Sequence, residues 1–259
     1  MGKFEQDKSI VENILAKQEI NHDDRLTLLS IYNVSYHDSG KIEGMYSCDS
    51  SCNNCTFCQK VRENGKDNPA LICNYCYDDA QEKRWTAVKN RHGLNLLIMS
   101  SVRYTVDELA TLKMENLLRE NSSGDIENDI MAENYINIGY SHPTVDIGLF
   151  AKNVSPVIRA TDKLGKPGNM KYIQSSMLIG VPAKRAKYFD YVFTVYATEE
   201  ELQKALSDGA CECNGKKCRE CGYMCYVRNG WDIGSNIAEY LRLKSEKQRA
   251  ELLKRLGLA

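Results

Sequence analysis

The sequence predicts an α/β protein: a partial or complete (β/α) barrel with cysteine-rich metal-binding loops near both ends, or alternatively an open doubly wound sheet. Three observations lead there. Apolar, β-rich runs at 114–120, 145–151, 170–178 and 191–197 alternate with helical patterns at 127–139, 153–164, 181–188 and 199–207. Strand-plus-helix units of about 20–30 residues are the mark of parallel strands joined by right-handed crossovers. All eleven cysteines fall into two knots, at 48–76 and 211–225, and 259 residues are enough to bury one large core around them.

Taken in order, residues 3–17 place Phe4, Ile10, Val11, Ile14 and Leu15 at the spacing of an amphipathic helix. Residues 21–24 read as a polar break and 26–35 as the first strand, which closes a segment 1–40. Segment 41–80 is the first cysteine-rich stretch. From 77 to 99 the pattern is helical, with Trp85, Val88, Leu94 and Leu97 apolar, Lys83, Arg84, Lys89 and Arg91 polar, and a break expected at Gly93. Thr105 followed by Glu108 is a capping box. The alternating units complete a core at 81–208, and the second knot occupies 209–230. Segment 231–259 begins with the turn 231–235 and is expected to be one long helix, 235–256, with Ile237, Tyr240, Leu241, Leu252, Leu253 and Leu256 on its apolar side.

Hydrophobic content of 42% and charged content of 27% suit a soluble globular protein. The longest apolar run, near 94–99, is too short to span a bilayer, and the N-terminus has no secretory pattern. The expected compartment is the cytoplasm, with no membrane partner. Thiols stay reduced there, so clustered cysteines read as ligands rather than disulfides. Net charge is −1, yet 152–187 holds Lys152, Arg159, Lys163, Lys166, Lys171, Lys184, Arg185 and Lys187 against one acid, Asp162. Such a lobe suits phosphates or nucleic acid, or is simply a set of solvated helix faces.

The knots carry the chemistry. Cys48-x3-Cys52-x2-Cys55 has the spacing that the radical S-adenosylmethionine superfamily uses for three thiolates on a four-iron cluster, with Asn54 where an aromatic is usual. Phe57 restores that aromatic in the frame Cys52, Cys55, Cys58, while Cys58, Cys73 and Cys76 are enough to close a four-thiolate cluster instead. Zinc is the alternative metal, since Cys55-x2-Cys58 and Cys73-x2-Cys76 lie fourteen residues apart. Five or six thiols exceed what one zinc needs, which favours iron–sulfur. The second knot offers Cys211, Cys213, Cys218, Cys221 and Cys225. From 213 to 225 the pattern C-x4-C-x2-C-x3-C supplies four ligands, with Gly215 and Gly222 to let the backbone wrap. A second cluster, a zinc ribbon, or one site shared by both knots all fit.

Arg119-Glu-Asn-Ser-Ser-Gly-Asp-Ile126 lies at a strand's carboxyl end, where ligand sites of α/β folds gather. Together with Cys76-Tyr77, Lys83-Arg-Trp85 and the strand His142-Pro-Thr-Val-Asp-Ile-Gly-Leu-Phe-Ala-Lys-Asn153, it resembles the phage and mobile-element gene product eighty-eight family. Lys152 sits at a matching place, whereas Ala151 and Asp78 replace the usual threonine and alanine. The resemblance covers roughly 40–230. It implies a radical-S-adenosylmethionine-type barrel with iron–sulfur clusters, in which Ser123, Gly124 and Asp125, with Arg119, bind the cofactor. The residues alone also allow Asp125 to be a helix N-cap. The four histidines, His22, His37, His92 and His142, show no paired spacing, and P-loop, nucleophile-elbow and G-x-G-x-x-G motifs are all missing.

The function expected is therefore an iron–sulfur, radical S-adenosylmethionine-like redox enzyme holding two 4Fe–4S clusters and S-adenosylmethionine and reduced by a partner protein. The alternatives are a metal-stabilised nucleic-acid-binding module using the 152–187 lobe, or an iron–sulfur electron carrier.

Overall fold

The computed structural model describes residues 2–52, 55–213, 217–223, 225–226, 236–241, 243 and 245–258. The chain runs α1 (Lys3–Leu15), α2 (His22–Ile31), β1 (Val34–Tyr36), β2 (Tyr46–Cys48), α3 (Thr56–Gly65) and a 3-10 turn (Ile72–Tyr75). It continues α4 (Tyr77–Arg84), α5 (Thr86–Ser101), α6 (Val106–Leu109), β3 (Leu117–Glu120), α7 (Asp129–Ser141), β4 (Asp146–Ala151) and α8 (Val154–Leu164). Then come β5 (Met170–Ser175), β6 (Tyr191–Tyr196), α9 (Glu199–Ser207), β7 (Cys211–Glu212), β8 (Asn236–Tyr240) and α10 (Glu246–Leu256).

The strands form one sheet in the order β1-β2-β3-β4-β5-β6-β8-β7. Among the described strands only β1 against β2 is antiparallel; the other neighbours are parallel. The sheet is open, because β1 and β7 each have a single neighbour among the described strands, so the expected barrel does not close. The order also lacks the central reversal of a doubly wound sheet. Strands β2 to β6 lie side by side in chain order, and right-handed crossovers then carry their helices to one face.

Alternate strand residues serve opposite faces. Leu118, Ile147, Leu149 and Tyr172 meet the helices in a large core with Leu28, Met99, Met131 and Val157. Leu117, Phe150, Ile173 and Ile237 face the other way, onto Met45, Cys218 and Tyr226. Gly148 admits this second layer: a Cβ there would lie 2.3 Å from Tyr226 Cδ1. The second knot thus helps cover the face that the helices leave bare.

Four expected elements differ. Residues 26–31 are helical, because the polar stretch before them starts a helix: Asn21 Oδ1 accepts from Asp24 N at 2.9 Å and Asp24 accepts from Asn21 N at 3.3 Å. The break in 77–99 falls at Trp85, whose backbone is extended, while Gly93 is buried inside α5. Residues 181–188 form no helix. Gly180 has a φ of +73°, Pro182 disfavours a helical Val181, and side chains hold the segment, Ser176 Oγ accepting from Ala183 N and Gln174 Oε1 from Ala186 N. The terminal helix is shorter than expected. Residues 236–240 are a strand paired with both β6 and β7, tertiary pairing overriding helical spacing, and Ser245 caps α10. Gly215 and the turn 231–235 lie outside the described residues. Among the described residues no helix is long and apolar enough to cross a membrane.

Away from the thiols, Glu108 fastens α6 to α2. It accepts from Arg25 Nε at 2.7 Å and Thr105 N at 2.9 Å, with His22 Nδ1 at 2.8 Å. Burial works to raise its pKa, but the bonds from Thr105, Arg25 and His22 win and hold it at about 2, below the ordinary 4.5. A depressed carboxylate contributes its full stabilisation above its unfolded pKa and loses it as pH falls through the folded one. Glu108→Gln should therefore lower the melting temperature at neutral pH. The gap to the wild type should close between about pH 4.5 and about pH 2. A gap that stays constant through that window in thermal melts would contradict the assignment.

Candidate metal centre

The carboxyl ends of β2, β3 and β4 come together through two interlocked loops. Residues 49–52 follow β2 and residues 121–125 follow β3. Ser50 N donates to Ser123 O at 3.0 Å, Asn121 N to Cys48 O at 3.0 Å and Ser123 N to Asp49 Oδ1 at 2.9 Å, while Ser122 Oγ donates to the same carboxylate. Gly124 has a φ of +84°, and a Cβ there would stand 2.0 Å from Ser50 Oγ. The close approach that the Ser-Gly-Asp motif suggests is real, but its partner is the cysteine loop. Asp125 accepts from Ile126 N at 2.8 Å, Lys152 N at 3.0 Å and Asn153 N at 3.2 Å, tying the end of β3 to that of β4. It does not cap the following helix; Asn128 does, accepting from Met131 N at 3.0 Å.

Beneath the first loop lies a buried anchor absent from the sequence-based expectations. Glu82 accepts from Ser51 Oγ at 3.0 Å and Cys52 N at 3.2 Å, and His92 Nδ1 lies 3.2 Å from it. No motif flags Glu82; the helix expected from 77 onward contains it, but that pattern does not show that its carboxyl group turns to the loop. His37 joins no thiol group and instead meets Ser47 Oγ at 2.7 Å.

All eleven cysteines are thiols, none joined in a disulfide. Cys48 parts from the rest. It pairs in register with Glu120, its thiol meets the buried Tyr32, and although it shares a core cluster with Cys55 and Cys58, it stands outside the group formed by Cys52, Cys76 and Asp78. The triad Cys48, Cys52, Cys55 is therefore not assembled, because spacing along the chain does not decide which face a strand residue takes. The other five gather at the strand ends. Cys55 and Cys76 sit at the N-cap positions of α3 and α4, Cys58 lies within α3 and Cys73 in the 3-10 turn. Cys52 Sγ lies 3.9 Å from Cys76 Sγ and 3.9 Å from Ser123 Oγ. Ligand atoms of Cys52, Cys76 and Asp78 all fall within 4.8 Å of one another.

Charge is arranged around these sulfurs. The hydrogen bond from Cys52 holds Cys76 down to about 6, aided by the backbone N–H groups of Asp78 and Asp79 at the start of α4 and by Lys152. Cys52 is pushed up by that same bond and then by burial; Cys58 is pushed up by Cys55 and then by burial. Burial disfavours the charge on Lys152, yet Asp125 and the sulfurs of Cys73, Cys58 and Cys76 keep it protonated. Burial, then Cys76, pushes Asp78 well above the usual carboxylate range.

On the bare face of the sheet, the Arg119 guanidinium stacks 4.2 Å over the Phe150 ring, and its Nε has no hydrogen bond among the described residues. Arg119 and Lys152 line a cavity of about 160 Å³ with Asp78, Ser122, Asp125, Ser175 and Phe193. Beyond Arg119 lies the second knot. Cys213 N donates to Ala238 O at 2.7 Å and Cys218 N to Lys41 O at 2.6 Å. Cys225 is pushed up to about 12 by burial and then by the sulfurs of Cys218, Cys213 and Cys221. These are the four positions of C-x4-C-x2-C-x3-C, and Cys211 on β7 stands beside Cys213 and Cys221. The two knots form separate groups with Arg119 between them, next to Asp49 on one side and Cys218 and Cys225 on the other.

The basic lobe is largely neutralised within the fold. Arg159 pairs with Asp129, Lys163 with Glu133, Lys166 and Lys171 with Asp190, and Lys187 with Asp162.

A family model described as gene product 88 matches residues 5–222. No curated protein and no solved structure gives a significant match.

Gly124→Ala should destabilise the fold by about 1–3 kcal/mol, through a strained backbone and a clash with Ser50. Denaturant unfolding checks this; a loss under about 0.5 kcal/mol would mean that the two loops are not interlocked.

Proposed function

The chain belongs to the gene product 88 family, and on that footing we propose that it is an iron–sulfur redox enzyme whose first cluster sits at the carboxyl ends of β2, β3 and β4. One observation carries this reading. Cys58, Cys73 and Cys76 stand around Lys152, with Cys55 beside Cys58 and Cys52 3.9 Å from Cys76, and Lys152 itself lines a cavity at the position where parallel sheets bind ligands. Five thiols exceed the four that one zinc takes, and thiolate-held clusters are anionic. A protonated lysine packed against the sulfurs offsets that charge.

When bound, such a cluster supplies one-electron chemistry. The chain's own residues hold and shield it. Four of the five sulfurs suffice as ligands, Lys152 offsets their charge, and Asp125 fixes the backbone from which Lys152 projects. Arg119, Lys152 and Ser175 line the cavity as groups available to a ligand, and Phe150 and Phe193 line its apolar side. In a radical S-adenosylmethionine version, the frame Cys52, Cys55, Cys58 takes the place of the one starting at Cys48, with Phe57 before the last cysteine. S-adenosylmethionine would then occupy the Ser123-Gly124-Asp125 side of the cavity. The second knot would hold a second 4Fe–4S cluster on the bare face, fed by a reductant protein.

A zinc centre is the second reading, and a separation favours it. Sulfurs 3.9 Å apart nearly match the edge of a tetrahedron with arms of about 2.3 Å, roughly 3.8 Å. In a cluster each thiolate takes a different iron. The nucleic-acid reading has less support, because the lobe's cations are mostly spent on internal carboxylates.

Anaerobic purification followed by iron, sulfide and zinc analysis and electron paramagnetic resonance separates these readings. The iron–sulfur enzyme should be brown, with about eight irons per chain. Replacing Cys52 and Cys76 together by Ser, which leaves three sulfurs, should lose the first centre, while Cys48→Ser should keep it at some cost in stability. A colourless zinc protein would overturn the redox reading, and loss of metal on replacing Cys48 would overturn the ligand set.

A further inference from the structure

Asp78 opens α4 together with Asp79, and the ordinary task of acids in a first turn is to complement the helix dipole. Asp79 has partners of that kind: it pairs with Arg62 at 2.7 Å and with Lys83 at 2.7 Å. Asp78 turns the other way. It accepts no hydrogen bond from the described residues, lines the cavity, and stands within 4.8 Å of both the Cys52 and Cys76 sulfurs. A carboxylate set against two thiols with nothing donating to it is a donor without an acceptor.

We propose that Asp78 is an oxygen ligand of the metal atom bound by Cys52 and Cys76, and that the fourth position on that atom opens into the cavity. This rests on the metal-centre reading in its single-ion form, the zinc alternative, because a cluster would give Cys52 and Cys76 different irons. An ion with arms of roughly 2.0–2.3 Å needs donors roughly 3.3–3.8 Å apart. The two sulfurs, 3.9 Å apart, nearly meet that spacing, and a carboxylate oxygen of Asp78 stands within 4.8 Å of both. Two sulfurs, one oxygen and an open place form the three-ligand arrangement of reactive rather than purely structural sites. The cavity that Asp78 lines is also lined by Arg119, Lys152 and Ser175, so what binds there is a small molecule offering a lone-pair donor to the metal and acceptor or anionic groups to those side chains.

Cobalt(II) titration of the metal-free chain under reducing, anaerobic conditions tests this, because its visible spectrum distinguishes sulfur from oxygen donors. Asp78→Asn should weaken one cobalt site by on the order of 100-fold or more and leave the site of the second knot as it was. Asp78→Cys should restore affinity and strengthen the thiolate-to-cobalt band, an outcome that a merely structural Asp78 would not produce. Unchanged affinity and spectrum in Asp78→Asn would overturn the assignment. Cys52→Ser and Cys76→Ser show which idea has failed. If they abolish the site and Asp78→Asn does not, only the oxygen ligand is wrong; if neither changes it, the metal-centre reading falls as well.

Discussion

The carboxylate of Asp125, buried and bonded to three backbone N–H groups, is the tie on which the site depends. It joins the turn after β3 to the turn after β4. Gly124, just before it, is pressed against Ser50 in the turn after β2. Burying a carboxylate is costly unless hydrogen bonds repay it, so the tie is stable only when all three strand ends are in register. Glu82 repeats the arrangement beneath the cysteine loop, with Ser51, Cys52 and His92 around it. Between them, these two buried carboxyl groups hold the backbone that carries Cys52, and the sulfur positions result from that.

Two cations divide the space between the knots. Lys152 belongs to the first group of sulfurs, and Arg119 reaches toward the second. Neither is a surface charge borrowed for the purpose. Each leaves the end of a central strand, one residue from a position that packs into the helix-face core. Strand alternation alone puts Glu120 among the helices and Arg119 on the opposite side with Phe150. The crossover helices lie on one face, and the other is covered by different means, with α10 against Val195 and cysteine-rich chain against Phe150 and Ile173.

Much of this was legible beforehand, for reasons that can be named. The units from β3 to α9 alternate apolar runs with amphipathic stretches, so their order was recoverable, except at 181–188, where the expected helix does not form. Residues 26–31 were not, because four apolar residues in six fit either period, and the capping pair Asn21 and Asp24 decided it. Residues 236–240 looked helical until partners on both sides made them a strand. Cys48 shows the deeper limit: three cysteines at familiar spacing were split because Cys48 ends a strand, whereas Cys52 and Cys55 lie in the loop that leads from it to α3. Asp78 was visible only as a departure from the family pattern, and its meaning needed the fold.

The position of β8 constrains how the molecule is made. Strand β7 has β8 as its partner in the sheet, yet β8 comes later in the chain and lies between β7 and β6. Until residues 236–240 are made, the stretch carrying Cys211 and Cys213 has no strand edge to rest on, so β8 must extend the rim at β6 before β7 can join it. That joining delivers Cys213 to the backbone of Ala238, so the second sulfur group assembles late in synthesis, after the first already has its strands in place.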